Sequence, residues 1–191
     1  MDDPYAAIGD LSVESMNLFV DAVATVAPEA WDTPSNLEGW TIRELVGHAT
    51  GSAAKVVALL EGAKIWRTAS QPEDWITDEP VARLRELSAT MRRALPGADF
   101  DALRPSPAGD VPLRSALGFP VADLALHSWD VHRSQGRLIE LPGEVLMLTR
   151  ALLGSLPEDS LRRPCAFGPA QPAPDDATPT TALMAFLGRS V

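Results

Sequence analysis

The chain has 191 residues, of which 46% are hydrophobic and 22% charged, and its formal net charge is −10. The excess of 26 acidic over 16 basic side chains argues against the basic surface that nucleic-acid binding requires, and no stretch approaches the roughly 20 uncharged apolar residues of a membrane span. The N-terminus is acidic, whereas a secretory signal peptide begins with basic residues, so we expect a cytoplasmic protein. Because Cys165 is the only cysteine, we expect no intrachain disulfide. The length of the chain suits one hydrophobic core.

The first two predicted helices lie in the N-terminal third of the chain. From Ile8 to Ala27, apolar residues recur at steps of three and four, which is typical of an amphipathic helix. Further on, Thr41 and Glu44 have the spacing of a capping box, in which each side chain accepts a hydrogen bond from the other residue's backbone N–H. A helix of about 25 residues is predicted to run from Thr41 toward Trp66 or Ala69.

A long loop and four further helical stretches are predicted in the remainder. A third helix is expected from Glu79 to Leu95, and the stretch from Pro96 to Gly118 has the proline and glycine content of a loop. The fourth helix is expected to begin near Pro120 and to end at Gly136, a glycine placed like a left-handed C-cap residue. The last helical stretches are expected between Pro142 and Pro157 and from Thr178 to Leu187.

These elements predict an all-α protein, because no segment shows the alternating pattern of a β-strand. We expect a helical bundle over residues 1–156. A proline-rich C-terminal extension over residues 157–191 is expected to pack on that bundle.

Candidate metal ligands stand on two of the predicted helices. His127 lies four residues after Asp123, and side chains four apart share one face of a helix. His48 lies on a stripe expected to face the bundle interior. Two imidazoles and one carboxylate form an N,N,O set that leaves one position open, as in catalytic zinc sites. The same spacing also suits a hydrogen-bonded Asp–His pair or two exposed side chains, and His132 is expected to point elsewhere.

Several neighbouring residues allow more than one interpretation. Asp130 could cap the helix, bridge to Arg133, or hold a ligand imidazole from behind. Trp40 and Trp129 are expected to pack beside the site. Cys165 lies in the proline-rich segment and is expected to be a passive thiol.

Two runs of sequence resemble the signatures of a known superfamily. Residues 37–48, LEGWTIRELVGH, resemble the first signature of the DinB-like superfamily. Residues 123–136, DLALHSWDVHRSQG, resemble the second signature of the mycothiol-dependent maleylpyruvate isomerase family within it. Residues 167–189 are similar to the closing segment of an actinobacterial metal-binding subgroup. The isomerase itself differs in having glutamate in place of Asp123 and in carrying a second, sterol-carrier-like domain, which we expect this chain to lack.

The resemblance implies an up-down four-helix bundle that holds a divalent metal ion, zinc or nickel, between His48, Asp123 and His127. It further implies a thiol transferase or isomerase that acts on a small-molecule substrate with a thiol such as mycothiol as cosubstrate. Two alternatives stay open: a metal-bearing binding or regulatory protein without turnover that self-associates as a homodimer, and a hydrolase in which the metal activates water. For an enzyme, the 96–118 loop is the expected lid.

Overall fold

Seven α-helices and one short hairpin form the part of the chain that the computed structural model describes, residues 4–67, 71–107, 109–162 and 167–191. The strands β1 (Leu103–Arg104) and β2 (Val111–Pro112) pair antiparallel. The helices are α1 (Ile8–Ala24), α2 (Ile42–Leu60), α3 (Pro80–Ala94), α4 (Leu113–Ser134), α5 (Gly143–Gly154), α6 (Glu158–Leu161) and α7 (Pro179–Phe186). The predicted all-α class is confirmed.

The bundle consists of α1, α2, α3 and α4. Helices α3 and α4 each pack against both α1 and α2, and α5 packs against α4. Their apolar faces meet in one core, where each fully buried large side chain contributes about 1.5–3 kcal/mol by leaving water. Its largest fully buried members are Trp129, Phe19, Met16, Ile42, Leu45, Leu59, Leu84, Met91, Leu113, Leu117, Leu124 and Leu148.

Helix α2 begins as predicted but ends early. The Thr41 hydroxyl accepts from the backbone N–H of Glu44, and the Glu44 carboxylate accepts from the backbone N–H of Thr41, so the capping box is confirmed. The predicted extension to Trp66 is wrong, because α2 ends at Leu60 and Gly62 follows with φ of +95°. That left-handed conformation does not continue a right-handed helix. Ala69 lies outside the described residues.

Helix α4 begins at Leu113, so the predicted start near Pro120 is wrong and Pro120 lies inside the helix. A proline there removes one backbone hydrogen bond. The helix continues across it because Leu117 and Val121 on either side are fully buried in the core, and this packing outweighs the local preference. The predicted 96–118 loop is correspondingly shorter and contains the β1–β2 hairpin. Gly136, with φ of +73°, follows the end of α4 as predicted.

The C-terminal residues contact α4, α5 and the segment between them. Helix α7 packs against α5, and the Thr180 hydroxyl accepts from the backbone N–H of Leu141. Arg189 reaches a carboxylate of α4. A domain boundary at residue 156 stays a prediction, and Cys165 lies outside the described residues. None of the described helices has the length and apolar character needed to cross a bilayer.

Candidate metal centre

The three predicted ligands converge where α2 packs on α4. One ligand atom from each of His48, Asp123 and His127 lies within 4.8 Å of the other two. The two imidazole rings meet edge to face with centroids 5.2 Å apart. His127 Nε2 lies 3.4 Å from Asp123 Oδ1, and ligand atoms of a tetrahedral zinc site, with bonds of about 2.0–2.2 Å, lie about 3.3–3.6 Å apart. This pair therefore has the separation of two ligands of one small divalent cation, and the third donor atom lies within 4.8 Å of both.

Helical spacing within α4 and one hydrogen bond between α2 and α4 orient the ligands. Asp123 and His127 share one face of α4 because they are four residues apart. The Ser52 hydroxyl, one turn beyond His48 on α2, donates to Asp123 Oδ2 at 2.6 Å and so holds that carboxylate between the helices. The ring of Trp40 lies 4.8 Å from the ring of His48, as expected for packing beside the site.

Asp130 lies behind His127 and decides which ring nitrogen faces the other ligands. Its carboxylate is fully buried and accepts from His127 Nδ1 at 3.0 Å, which directs Nε2 toward Asp123. The sequence left three roles open for Asp130: a helix cap, a bridge to Arg133, or support of an imidazole. The structure shows the contact to the imidazole of His127. A carboxylate bound to the remote nitrogen is the usual support of a metal-ligating histidine.

Two partners of Asp130 come from distant parts of the chain. Arg189 binds Oδ2 through Nη2 at 3.1 Å, and its guanidinium is itself buried. Asn36 Nδ2 donates to Oδ1 at 3.1 Å. Neither residue is predictable from the sequence, because they lie 59 and 94 positions away from Asp130 and no local pattern connects them to the site.

The electrostatics of the cluster favour a cation. Burial by itself lowers the pKa of His127, but the carboxylates of Asp123 and Asp130 outweigh it and raise that pKa to about 9. Burial raises the pKa of Asp130, yet Arg189 and His127 hold it at about 2. Burial also raises the pKa of Asp123, but His127, His48 and Ser52 together keep that pKa far below its usual range. In the metal-free protein a proton on His127 therefore sits between two carboxylates.

The remaining predicted residues lie outside the cluster. Trp129 is fully buried in the core, as expected. His132 is not part of the group of converging ligand atoms found in the described residues.

The β1–β2 hairpin contacts α2 beyond the predicted ligands, and the role of the 96–118 segment as a lid stays a prediction. Arg104 of the hairpin donates to the carbonyl of Leu59 at 3.2 Å, near the C-terminal end of α2. Leu59 is eleven residues beyond His48, or about 16 Å along the helix. The sequence could not show this, since the start of α4 at Leu113 determines where the hairpin lies.

Comparison with known proteins gives one family and a matching fold. Residues 14–132, more than half of the chain, match the family model described as the mycothiol maleylpyruvate isomerase N-terminal domain. Two uncharacterized proteins from two strains of Mycobacterium tuberculosis are each 27% identical over 187 residues, which cover 93% of this chain and 94% of the relative.

Two solved structures share the fold. The crystal structure of the mycothiol-dependent maleylpyruvate isomerase superposes with a TM-score of 0.62 at 17% identity, over 80% of this chain and 70% of that chain. A mutant of the same isomerase gives a TM-score of 0.61 at 16% identity, with the same coverage.

Proposed function

This chain belongs to the family of the mycothiol maleylpyruvate isomerase N-terminal domain, and on that basis we propose that it binds one divalent metal ion, zinc or nickel, through His48, Asp123 and His127. We further propose that it is a metal-dependent thiol transferase or isomerase that uses a small thiol such as mycothiol. A cytoplasmic location and a homodimer stay predictions from the sequence.

The observation that carries the proposal is the convergence of three donor atoms from two helices, with a buried carboxylate behind one of them. An Asp–His pair that served only as a hydrogen bond would need neither His48 across the interface nor Asp130 on the remote nitrogen of His127. Asp123 is 31% exposed along its side chain, so the cluster is reached from solvent on one side. A site with three protein ligands and one accessible position is the arrangement of catalytic zinc.

The residues of the chain have separate roles in this proposal. A bound divalent cation supplies Lewis acidity, which lowers the pKa of a thiol or water at the open position. Asp130 keeps His127 Nε2 directed into the site, and Ser52 keeps the Asp123 carboxylate in place. The thiol is assigned to a small molecule, because Cys165 is the only cysteine of the chain and is expected outside the bundle.

Metal content tests the ligand assignment. The purified protein is expected to contain one zinc or nickel ion per chain by mass spectrometry of the metal. The His48→Ala and His127→Ala variants are each expected to lose it, while His132→Ala, which removes an imidazole of the same helix outside the cluster, is expected to keep it. Full occupancy in the first two variants would refute the assignment.

Thiol use is tested separately. In a cobalt-substituted sample, mycothiol is expected to shift the d–d absorption bands because a sulfur donor changes the ligand field. The disulfide of mycothiol is the matched control, since it lacks the ionisable thiol. A spectrum that mycothiol leaves unchanged would contradict thiol chemistry and would leave metal binding intact, which favours the hydrolase or the non-catalytic alternative.

A further inference from the structure

A cavity of about 330 Å³ lies between α5 and α7, apart from the proposed ligands on α2 and α4. The residues that line it come three from each helix: Arg150, Leu153, Gly154, Ala182, Leu183 and Phe186. Leu153 and Leu183 are buried, whereas Phe186 is 41% exposed. The cavity therefore has an apolar floor and is reached from solvent at its rim.

Gly154 leaves room above this floor because it has no side chain. No atom lies within 4 Å of the position that a Cβ of Gly154 would take. Gly154 ends α5 without the left-handed φ that favours glycine, so its backbone accepts a larger residue. A side chain introduced at this position would occupy the cavity without displacing its walls.

Arg150 brings a positive charge to the cavity that no described carboxylate neutralises. None of the ion pairs formed by the described residues includes Arg150, although acidic residues outnumber basic ones by 26 to 16. Its Nη2 donates to the backbone carbonyl of Pro179 at 3.3 Å. A guanidinium has five N–H donors in a planar fork, and this fork matches the two oxygens of a carboxylate.

A second arginine holds the aromatic wall of the cavity. The guanidinium of Arg162 lies 4.8 Å from the centroid of the Phe186 ring, and its Nη2 donates to the backbone carbonyl of Phe186 at 2.8 Å. Arg162, too, forms no ion pair with a described carboxylate. The apolar surface is thus flanked by two cations in a protein whose net charge is −10.

The size of the cavity favours a small molecule over a segment of another protein. Small-molecule sites have volumes of about 300–1,000 Å³ and combine a mostly apolar lining with a few polar groups. A sphere of 330 Å³ is about 9 Å across, which is narrower than a helix with its side chains, about 10–12 Å. The positive charge at the rim selects an anion, and the apolar floor selects a hydrocarbon group.

We propose that the cavity between α5 and α7 is a second ligand site, which binds a small amphipathic carboxylate. The carboxylate pairs with Arg150 at the rim. The hydrocarbon chain packs on Leu153, Leu183 and Phe186. The inference goes beyond the proposed function and does not depend on it, because none of these residues is a proposed metal ligand.

The test measures binding of octanoate to the purified protein by calorimetry, with octanamide as its neutral counterpart. The wild type is expected to bind octanoate more tightly than octanamide. Arg150→Gln is expected to bind octanoate about 10- to 100-fold more weakly, which corresponds to loss of a charge-assisted hydrogen bond, and to bind octanamide like the wild type. Arg150→Lys retains the charge and is expected to bind octanoate more tightly than Arg150→Gln. Arg85→Gln, which removes an exposed arginine of α3, is the matched control and is expected to bind like the wild type.

Filling the cavity tests where the probe binds. Gly154→Leu is expected to abolish binding of both octanoate and octanamide, because the added side chain takes their place. Gly143→Leu is its control, since it adds the same side chain at the other end of α5, where nothing lies within 4 Å of a Cβ either. Octanoate is also expected to shift the methyl NMR signals of Leu153 and Leu183.

Three results would overturn the proposal. The first is octanoate binding that Arg150→Gln or Gly154→Leu leaves unchanged. The second is loss of octanoate binding in His48→Ala, which would place the carboxylate on the metal; equal binding is expected. The third is a wild type that does not bind octanoate. If Gly154→Leu then converts a dimer to a monomer in analytical ultracentrifugation, the cavity belongs to an interface between two copies of the chain.

Discussion

Replacing Asp130 by asparagine tests whether Asp130, which is not a proposed ligand, strengthens metal binding by orienting His127. The variant keeps the size of the side chain but removes its negative charge. In the wild type His127, Arg189 and Asn36 all donate hydrogen bonds to this fully buried carboxylate. Asparagine has only one oxygen, so it cannot accept from all three donors. Its NH₂ group is then directed at a donor of Arg189, Asn36 or His127.

The expected magnitudes follow from these contacts. The pKa of Asp130 is lowered from 3.8 to about 2, which by linkage corresponds to about 2 kcal/mol of stability at neutral pH. The loss is expected to be larger, about 3–5 kcal/mol, because the Arg189 guanidinium stays buried without its counter-charge. Zinc affinity is expected to fall about 10- to 100-fold, since Nε2 of His127 is no longer held toward Asp123.

Urea unfolding of the metal-free protein measures the loss of stability, and competition with a chromophoric chelator measures the fall in zinc affinity. Asp32→Asn is the matched control: Asp32 is paired with Arg43 at the surface, with 77% of its side chain exposed, and its loss is expected to change neither value appreciably. Combining Asp130→Asn with Arg189→Met is expected to restore much of the stability but not the zinc affinity. A folded Asp130→Asn protein that binds zinc as tightly as the wild type would refute the positioning role.

Two further predictions concern protonation and packing. Zinc binding at about pH 7.5 is expected to release one proton, because a pKa of about 9 keeps His127 protonated in the metal-free protein and zinc requires the neutral imidazole. Calorimetry in several buffers checks this: a heat of zinc binding that does not depend on the ionisation enthalpy of the buffer would contradict it. Since the pKa is raised on folding, the stability it contributes is complete below pH 6.5 and is lost as the pH rises through about 9, so the urea midpoint of the metal-free protein should fall over that window. Gly47→Ala is expected to destabilise the protein by about 1–3 kcal/mol, because the added Cβ would lie 2.7 Å from the Pro72 carbonyl oxygen. Gly154→Ala, where nothing lies within 4 Å, is its control in the same thermal melts and should be neutral or slightly stabilising.

Local features of the chain could be predicted because neighbouring residues determine them. The sequence located α1, α3, α5 and α7 to within a few residues, α1 by its apolar periodicity and α5 by the prolines at 142 and 157, and the Thr41–Glu44 capping box formed as expected. The four-residue spacing of Asp123 and His127 placed both side chains on one face of α4 wherever that helix began. These properties depend on backbone geometry over one or two turns, which the sequence displays directly.

Other features depended on contacts between distant segments. Pro120 lies within α4 because the buried residues on both sides of it hold the helix together, and a local pattern does not reveal such packing. The hairpin at residues 103–112 is short and pairs only two residues on each strand, so no alternation marks it.

The sequence by itself determined that this chain forms helices and which imidazoles and carboxylate have ligand chemistry. Only the tertiary structure decided that α2 and α4 meet in the register that opposes Ser52 to Asp123, and that Arg189 reaches the carboxylate behind His127. The physical reason is that helix register and long-range ion pairs are determined by how side chains fill a shared core. That core is a property of the whole fold, whereas helix periodicity is a property of a few consecutive residues.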